Sequence, residues 1–150
     1  MNAAGQGILY ERFGDCRRLI SGRTALLNEY HGFISRLSSE LAPGSLIIDC
    51  HSFPSDLADI DICIGYNDDA SKPEQEMIDK ATHLFDRAGF KVGLNNPYSN
   101  SITPKKPIDY KSLMIEVNKR CYMNEGTLAR TVGYDIISGL VNDFYRQVLA

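Results

Sequence analysis

The chain has 150 residues, 43% of them hydrophobic, which is enough to bury one core, and nothing in it reads as disordered or low in complexity. A formal net charge of -3 with dispersed Lys and Arg excludes the basic footprint of a nucleic-acid binder, and no apolar run has the length of a membrane span. Cys16, Cys50, Cys63 and Cys121 are widely spaced, without a C-x-x-C pair or a secretory segment before them, so reduced thiols in a cytoplasmic protein are expected.

Residues 1–7 have neither the basic nor the apolar stretch of a leader and run directly into Ile8-Leu9-Tyr10, which reads as a strand. The chain is therefore expected to start within a domain. An amphipathic helix is predicted from about Gly22 to Leu41, with Leu26, Leu27, Tyr30, Phe33, Ile34 and Leu37 at helical spacing, and Pro43-Gly44 ends it. Ser45 to Cys50 is a predicted strand and Asp61 to Gly65 a second. Pro73 opens a helix to about Ala88, stopped by Gly89. Phe90 to Leu94 is a third strand, followed by an Asn-, Ser- and Pro-rich loop to Pro107, and Ser112 to Val117 is a fourth. A last helix runs from about Thr127 to Val148 on Leu128, Val132, Ile136, Ile137, Leu140, Val141 and Phe144. Strands alternating with helices and no internal repeat predict one layered α/β domain over residues 1–150.

Two strand ends carry the chemistry. Leu46-Ile47-Ile48-Asp49-Cys50-His51 runs from a buried pattern into Asp and His, at the end of the strand where open sheets bind ligands. His51 is the candidate ligand or catalytic group. Asp49 lies on the same strand face and can fix the imidazole tautomer. The competing reading is a hydrogen-bonded histidine that merely closes a strand. Cys50 and Cys63 read as small core residues. In Lys111 to Arg120 the anomaly is Glu116, a carboxylate in an apolar strand, costly there unless paired, solvated in a cleft or near a metal. An edge strand whose Glu and Asn face water is the alternative. A metal held partly by His51, with Glu116 removing a proton from water, would make a hydrolytic site. The Asn95 to Ser101 loop could close over a substrate or be an ordinary solvated turn.

The ordered segments Gly5-Gln6-Gly7-Ile8-Leu9-Tyr10, Tyr30-His31, Asp49-Cys50-His51-Ser52-Phe53, Asp61-Ile62-Cys63-Ile64-Gly65, Asn96-Pro97-Tyr98-Ser99 and Ile115-Glu116-Val117-Asn118-Lys119-Arg120 resemble the N-formylglutamate amidohydrolase family. The resemblance implies a layered α/β/α fold with a mixed central sheet, of the zinc-carboxypeptidase type, incomplete at its N-terminus. It implies zinc-dependent cleavage of N-formyl-L-glutamate to formate and L-glutamate in histidine breakdown. In that reading His51 is a zinc ligand, Glu116 the general base and then proton donor, and Asp49 the residue orienting His51. Arg120, Tyr98, Ser99 and Asn118 contact a small anionic substrate.

The chain departs from the family in lacking the N-terminal portion with a further histidine motif and an acidic ligand. A catalytic zinc site needs three protein ligands and an open position, and His51 is the one assigned, with His31 or Asp61 as candidate substitutes. His31 otherwise reads as structural and His83 as part of a solvated helix face. The chain is thus expected to be either a piece of a longer protein, with apolar surface exposed or covered in a homo-oligomer, or a short relative. A catalytically inactive remnant used for binding or assembly is the alternative function. Asn100 stands where the family has glycine, and Asn is the least costly replacement if the backbone there needs positive φ.

Overall fold

The computed structural model describes residues 12–13, 16–17 and 20–149. The strand expected at Ile8-Leu9-Tyr10 lies outside the described residues. Two compact units are present: a smaller one that includes Pro104–Pro107, and a larger one of Ala42–Thr103 with Ile108–Ala150.

In the smaller unit, β1 (Arg12–Phe13) and β2 (Cys16–Arg17) form an antiparallel pair, and α1 spans Ile20–Glu40. The Lys106 ammonium donates to the Leu41 carbonyl just beyond α1. Leu26, Leu27 and Phe33 are exposed on the helix, although their spacing predicted an inward face.

The larger unit is a four-stranded mixed sheet. Its strands are β3 (Ser45–Phe53), β4 (Ile62–Gly65), β5 (Val92–Leu94) and β6 (Tyr110–Asn118), in the order β3-β6-β4-β5. β6 is parallel to β3 and antiparallel to β4, while β4 and β5 are parallel. The predicted mixed α/β architecture is thereby present. β3 continues three residues past Cys50, so that His51, Ser52 and Phe53 belong to the strand.

Side chains alternate across β6 with the period of two that a strand imposes. Leu113, Ile115 and Val117 face α2 (Gln75–Arg87) and α3 (Gly133–Leu149), packing with Ile62, Ile64, Ile78, Phe85 and Phe144 in the main core. Met114, on the opposite face, packs with Phe53, Ile60 and Cys63, and Ala58 and Tyr98 cover them from two loops. One face of the sheet thus carries helices and the other carries loops. The helical face is filled mainly by aliphatic and aromatic side chains, whereas the buried polar residues of β6, Ser112, Glu116 and Asn118, lie on the loop face.

Helix ends follow local chemistry. Gly89, at φ 87, lets Phe90 N–H bond to the Phe85 carbonyl and Gly89 N–H to the Asp86 carbonyl, which closes α2 where the sequence predicts. The start of α3 differs from expectation by six residues. Asn124 Oδ1 accepts the N–H groups of Gly126 and Thr127 at 3.0 and 2.9 Å, folding this stretch into a turn. Leu128, read as helical, sits in that loop at φ 60 and is 73% exposed. The helix begins at Gly133, where a Cβ would collide with the Cys121 carbonyl oxygen.

Gly65 marks where a loop crosses the sheet. A Cβ there would meet the Met114 side chain and lie 2.9 Å from the Asn100 carbonyl oxygen. Gly65→Ala should therefore destabilise the larger unit by about 1–3 kcal/mol through overpacking, measurable as a lower urea midpoint with an unchanged slope.

Candidate active site

His51 and Glu116 occupy directly paired positions on the parallel strands β3 and β6, and Cys63 of β4 is paired with Glu116 from the other side. Asp49, two residues before His51, shares its face. His51 Nε2 lies 2.8 Å from Asp49 Oδ1, so this nitrogen carries the donated proton and Nδ1 is left as the basic nitrogen. The Asp49 bond is the main reason the imidazole's pKa is raised, against the opposing effect of burial. The other Asp49 oxygen accepts the Ile102 N–H at 3.1 Å, from the loop that crosses the sheet.

Glu116 is 6% exposed, and its Oε2 has no hydrogen-bond partner among the described residues. The alternative of a water-facing edge strand is overturned, because β6 is paired on both sides. Burial pushes the Glu116 carboxyl up to about 7, partly offset by His51 and reinforced by the negative Asp49. A carboxyl poised there can accept a proton and return it near neutral pH.

His51 also lines a cavity of about 630 Å³ with Tyr122, Tyr134, Ile137, Ser138 and Asn142, at the carboxyl ends of β3 and β6. Cys50, expected in the core, is instead exposed, and its thiol lies 3.6 Å from the Tyr145 hydroxyl. Strand alternation points it away from Asp49 and His51. Cys63 is a core residue as predicted, its thiol donating to the Tyr98 carbonyl at 3.2 Å and its pKa raised by burial.

The remaining candidate residues separate into two groups. Tyr98 packs partly buried against the loop-face core, next to exposed Ser99. Asn100 adopts φ 83, the positive value at which Asn is the least costly substitute for glycine. Asn118, read as a substrate contact, is fully buried and bonded to backbone: its amide donates to the Ile60 carbonyl at 2.9 Å and its Oδ1 accepts Arg120 N–H at 3.1 Å. Arg120 sets its guanidinium on Asp61 at 2.9 and 3.1 Å and on Asp59 at 3.5 Å. Asp61, a candidate ligand, is thereby committed to Arg120 and to Lys91 N–H. His83 is exposed on α2 as expected, and His31 is exposed on α1 with its ring edge-on to Tyr30 at 6.0 Å.

Among the described residues no group of three His, Cys, Asp or Glu side chains converges to hold a metal. His51 Nδ1 is a suitable donor, but the described residues do not fit a three-ligand catalytic zinc site by themselves. Sequence reasoning missed Asp59, the second partner of Arg120, and Glu125, whose carboxylate accepts Ser55 N–H at 3.1 Å just after β3. It also missed the buried polar residues Asn67, Ser101 and Ser112. Of these, Ser112 alone left a signal, as a hydroxyl on the inward-facing register of a strand.

The N-formylglutamate amidohydrolase family model matches residues 8–123. The chain belongs to the N-formylglutamate amidohydrolase family. Two solved structures share its fold. N-formylglutamate amidohydrolase from Ralstonia eutropha JMP134 is 20% identical with a TM-score of 0.60, over 84% of this chain and 48% of that one. Gene product Atu2144 from Agrobacterium tumefaciens is 17% identical with a TM-score of 0.55, over 97% of this chain and 62% of that one. The chain thus spans about half the length of the Ralstonia protein. No curated protein sequence matches it. Among the described residues, no helix of this family member is long and apolar enough to cross a membrane.

The raised Glu116 pKa has a thermodynamic consequence. A carboxyl whose folded pKa lies above its ordinary value of 4.5 favours the folded state at low pH, and that contribution is lost as pH rises through about 7. Wild type should lose about 1–3 kcal/mol of stability across that interval, and Glu116→Gln should remove this loss, as read from urea unfolding at a series of pH values.

Proposed function

We propose that this family member hydrolyses the formamide C–N bond of N-formyl-L-glutamate, releasing formate and L-glutamate. The observation that carries the reading is the buried, incompletely bonded Glu116 carboxyl beside the Asp49–His51 pair. Ionised Glu116 accepts a proton from the attacking water, and the resulting carboxylic acid returns it to the departing amine nitrogen. That nitrogen leaves as the amino group of glutamate. Asp49 holds His51 through Nε2 and leaves Nδ1 as the basic nitrogen, and His51 also borders the cavity at the strand ends, whose lining is free of carboxylates.

Zinc belongs to this reading only as a ligand for His51 Nδ1, since the described residues offer no complete donor set. Tyr98 and Ser99 are the proposed substrate contacts from the crossing loop. Arg120 is proposed to act near the substrate through the end of β6, with Asp61 and Asp59 holding its fork in place. The same lack of a complete donor set favours one alternative, a family member that keeps the fold for binding or assembly without turnover.

Formate release from N-formyl-L-glutamate distinguishes the two. The hydrolase reading expects turnover in wild type and its loss by at least roughly 100-fold in Glu116→Gln, the scale of a general base. Because the base must be ionised, kcat/KM should climb with pH up to about 7 and level off above it. Asp49→Asn should lower kcat roughly 10- to 100-fold while the chain stays folded, since the amide no longer enforces the His51 tautomer. Equal rates in wild type and Glu116→Gln would remove Glu116 from the chemistry. Absence of turnover in wild type would favour the binding or assembly alternative.

A further inference from the structure

Asp49 is itself held by a buried polar network. Ile102 donates its N–H to Asp49 Oδ2 at 3.1 Å, and its carbonyl accepts the Ser112 hydroxyl at 2.7 Å. The Ser101 and Ser112 hydroxyl oxygens are 2.7 Å apart. Each hydroxyl has one proton, and that of Ser112 is committed to Ile102, so Ser101 must donate to Ser112. Asn67 then pairs with the Ser101 backbone as a neighbouring strand would. Its Oδ1 accepts Ser101 N–H at 3.3 Å, and its Nδ2 donates to the Ser101 carbonyl at 3.1 Å.

These groups are deep in the larger unit: Ser112 is 0% exposed, Ser101 8% and Asn67 9%. Burying polar atoms in place of apolar ones is costly unless every bond is made, and the same sheet face accepts Met114 and Cys63 without difficulty. A purely structural strand would be served as well by an apolar residue at position 112. What the hydroxyl adds is a fixed Ile102 backbone, gripped at its N–H and its carbonyl. With Oδ2 occupied by Ile102 and Oδ1 by His51, the Asp49 carboxylate plane cannot turn.

We infer that Ser112, Ser101 and Asn67 are positioning residues for the Asp49–His51 pair. They hold the Ile102 N–H on Asp49 and through it keep the His51 proton on Nε2 and Nδ1 basic. Their effect on turnover rests on the hydrolase reading, whereas their effect on His51 does not.

The test is nitrogen NMR of the full chain labelled with 15N-histidine, recorded with the rings neutral, alongside formate release. The chain has three histidines, and His31→Gln and His83→Gln assign the His51 signals. Wild type should show His51 as a single Nε2–H tautomer. Ser112→Ala should give a mixture of tautomers and lower kcat roughly 10-fold with KM little changed. Ser101→Ala, which leaves the Ser112 bond to Ile102 intact, should give a smaller shift in the same direction and serves if Ser112→Ala does not fold. Thr82→Ala, which loses a hydroxyl bond to the Ile78 carbonyl on α2, controls for general loosening and should leave the tautomer unchanged. A single Nε2–H tautomer in Ser112→Ala, or in Ser101→Ala if that variant alone folds, overturns the inference. A mixture in Thr82→Ala does the same. If wild type releases no formate, the hydrolase reading fails while the tautomer result still decides the positioning role.

Discussion

A carboxyl group buried in the middle of a sheet without its full set of hydrogen bonds is the constraint on which the rest of this structure turns. Glu116 lies on β6, the strand paired on both sides, where it is shielded from solvent and has one oxygen unpartnered among the described residues. An ionised carboxylate there is destabilising, and a fold retains such a group only where its neighbours share the burden or its chemistry is used. His51, paired with it across the strands, lowers the cost by its positive form, and Asp49 favours that form. The three groups are therefore one electrostatic unit, in which Asp49 and Glu116 act on the proton affinity of His51, and Asp49 and His51 on that of Glu116.

The two faces of the sheet explain how this unit is accommodated. Aliphatic residues from β4 and β6 meet α2 and α3 on one face and supply most of the buried core. The opposite face is covered by loops, whose backbone groups can bond to side chains that a helix would leave unsatisfied. Gly65 permits the crossing loop to lie close against β4, and Asn100 turns the chain at φ 83 to bring Ile102 onto Asp49. Asn118 pins the segment around Ile60, and Arg120 binds Asp59 and Asp61 beside it. Backbone geometry thus serves the placement of one imidazole and one carboxyl.

Much of this was legible in the sequence because the determinants were local. Period-two alternation and an ionisable residue at a strand end marked Asp49, His51 and Glu116 before any coordinates. Gly89 and Pro73 bounded α2 through their backbone preferences. The start of α3 was not legible from apolar spacing, since Leu128 and Val132 keep helical periodicity while the Asn124 side chain folds the preceding segment into a turn. Arg120 was read from its chemistry as a substrate contact, but its partners Asp59 and Asp61 come from a loop some 60 positions away, a separation no local pattern encodes. The Asn67–Ser101–Ser112 network was hidden for the same reason: Ser112 stood out as a hydroxyl on an inward-facing strand register, but its partners come from a loop laid across the strand.

The most direct measurement is titration of the Glu116 carboxyl itself, by 13C NMR of glutamate-labelled chain with Glu116→Gln identifying the signal. A midpoint near 7 is expected, displaced from the ordinary 4.5 by burial. A midpoint at the ordinary value would contradict this, showing Glu116 to be a solvated carboxylate with no proton to exchange at neutral pH.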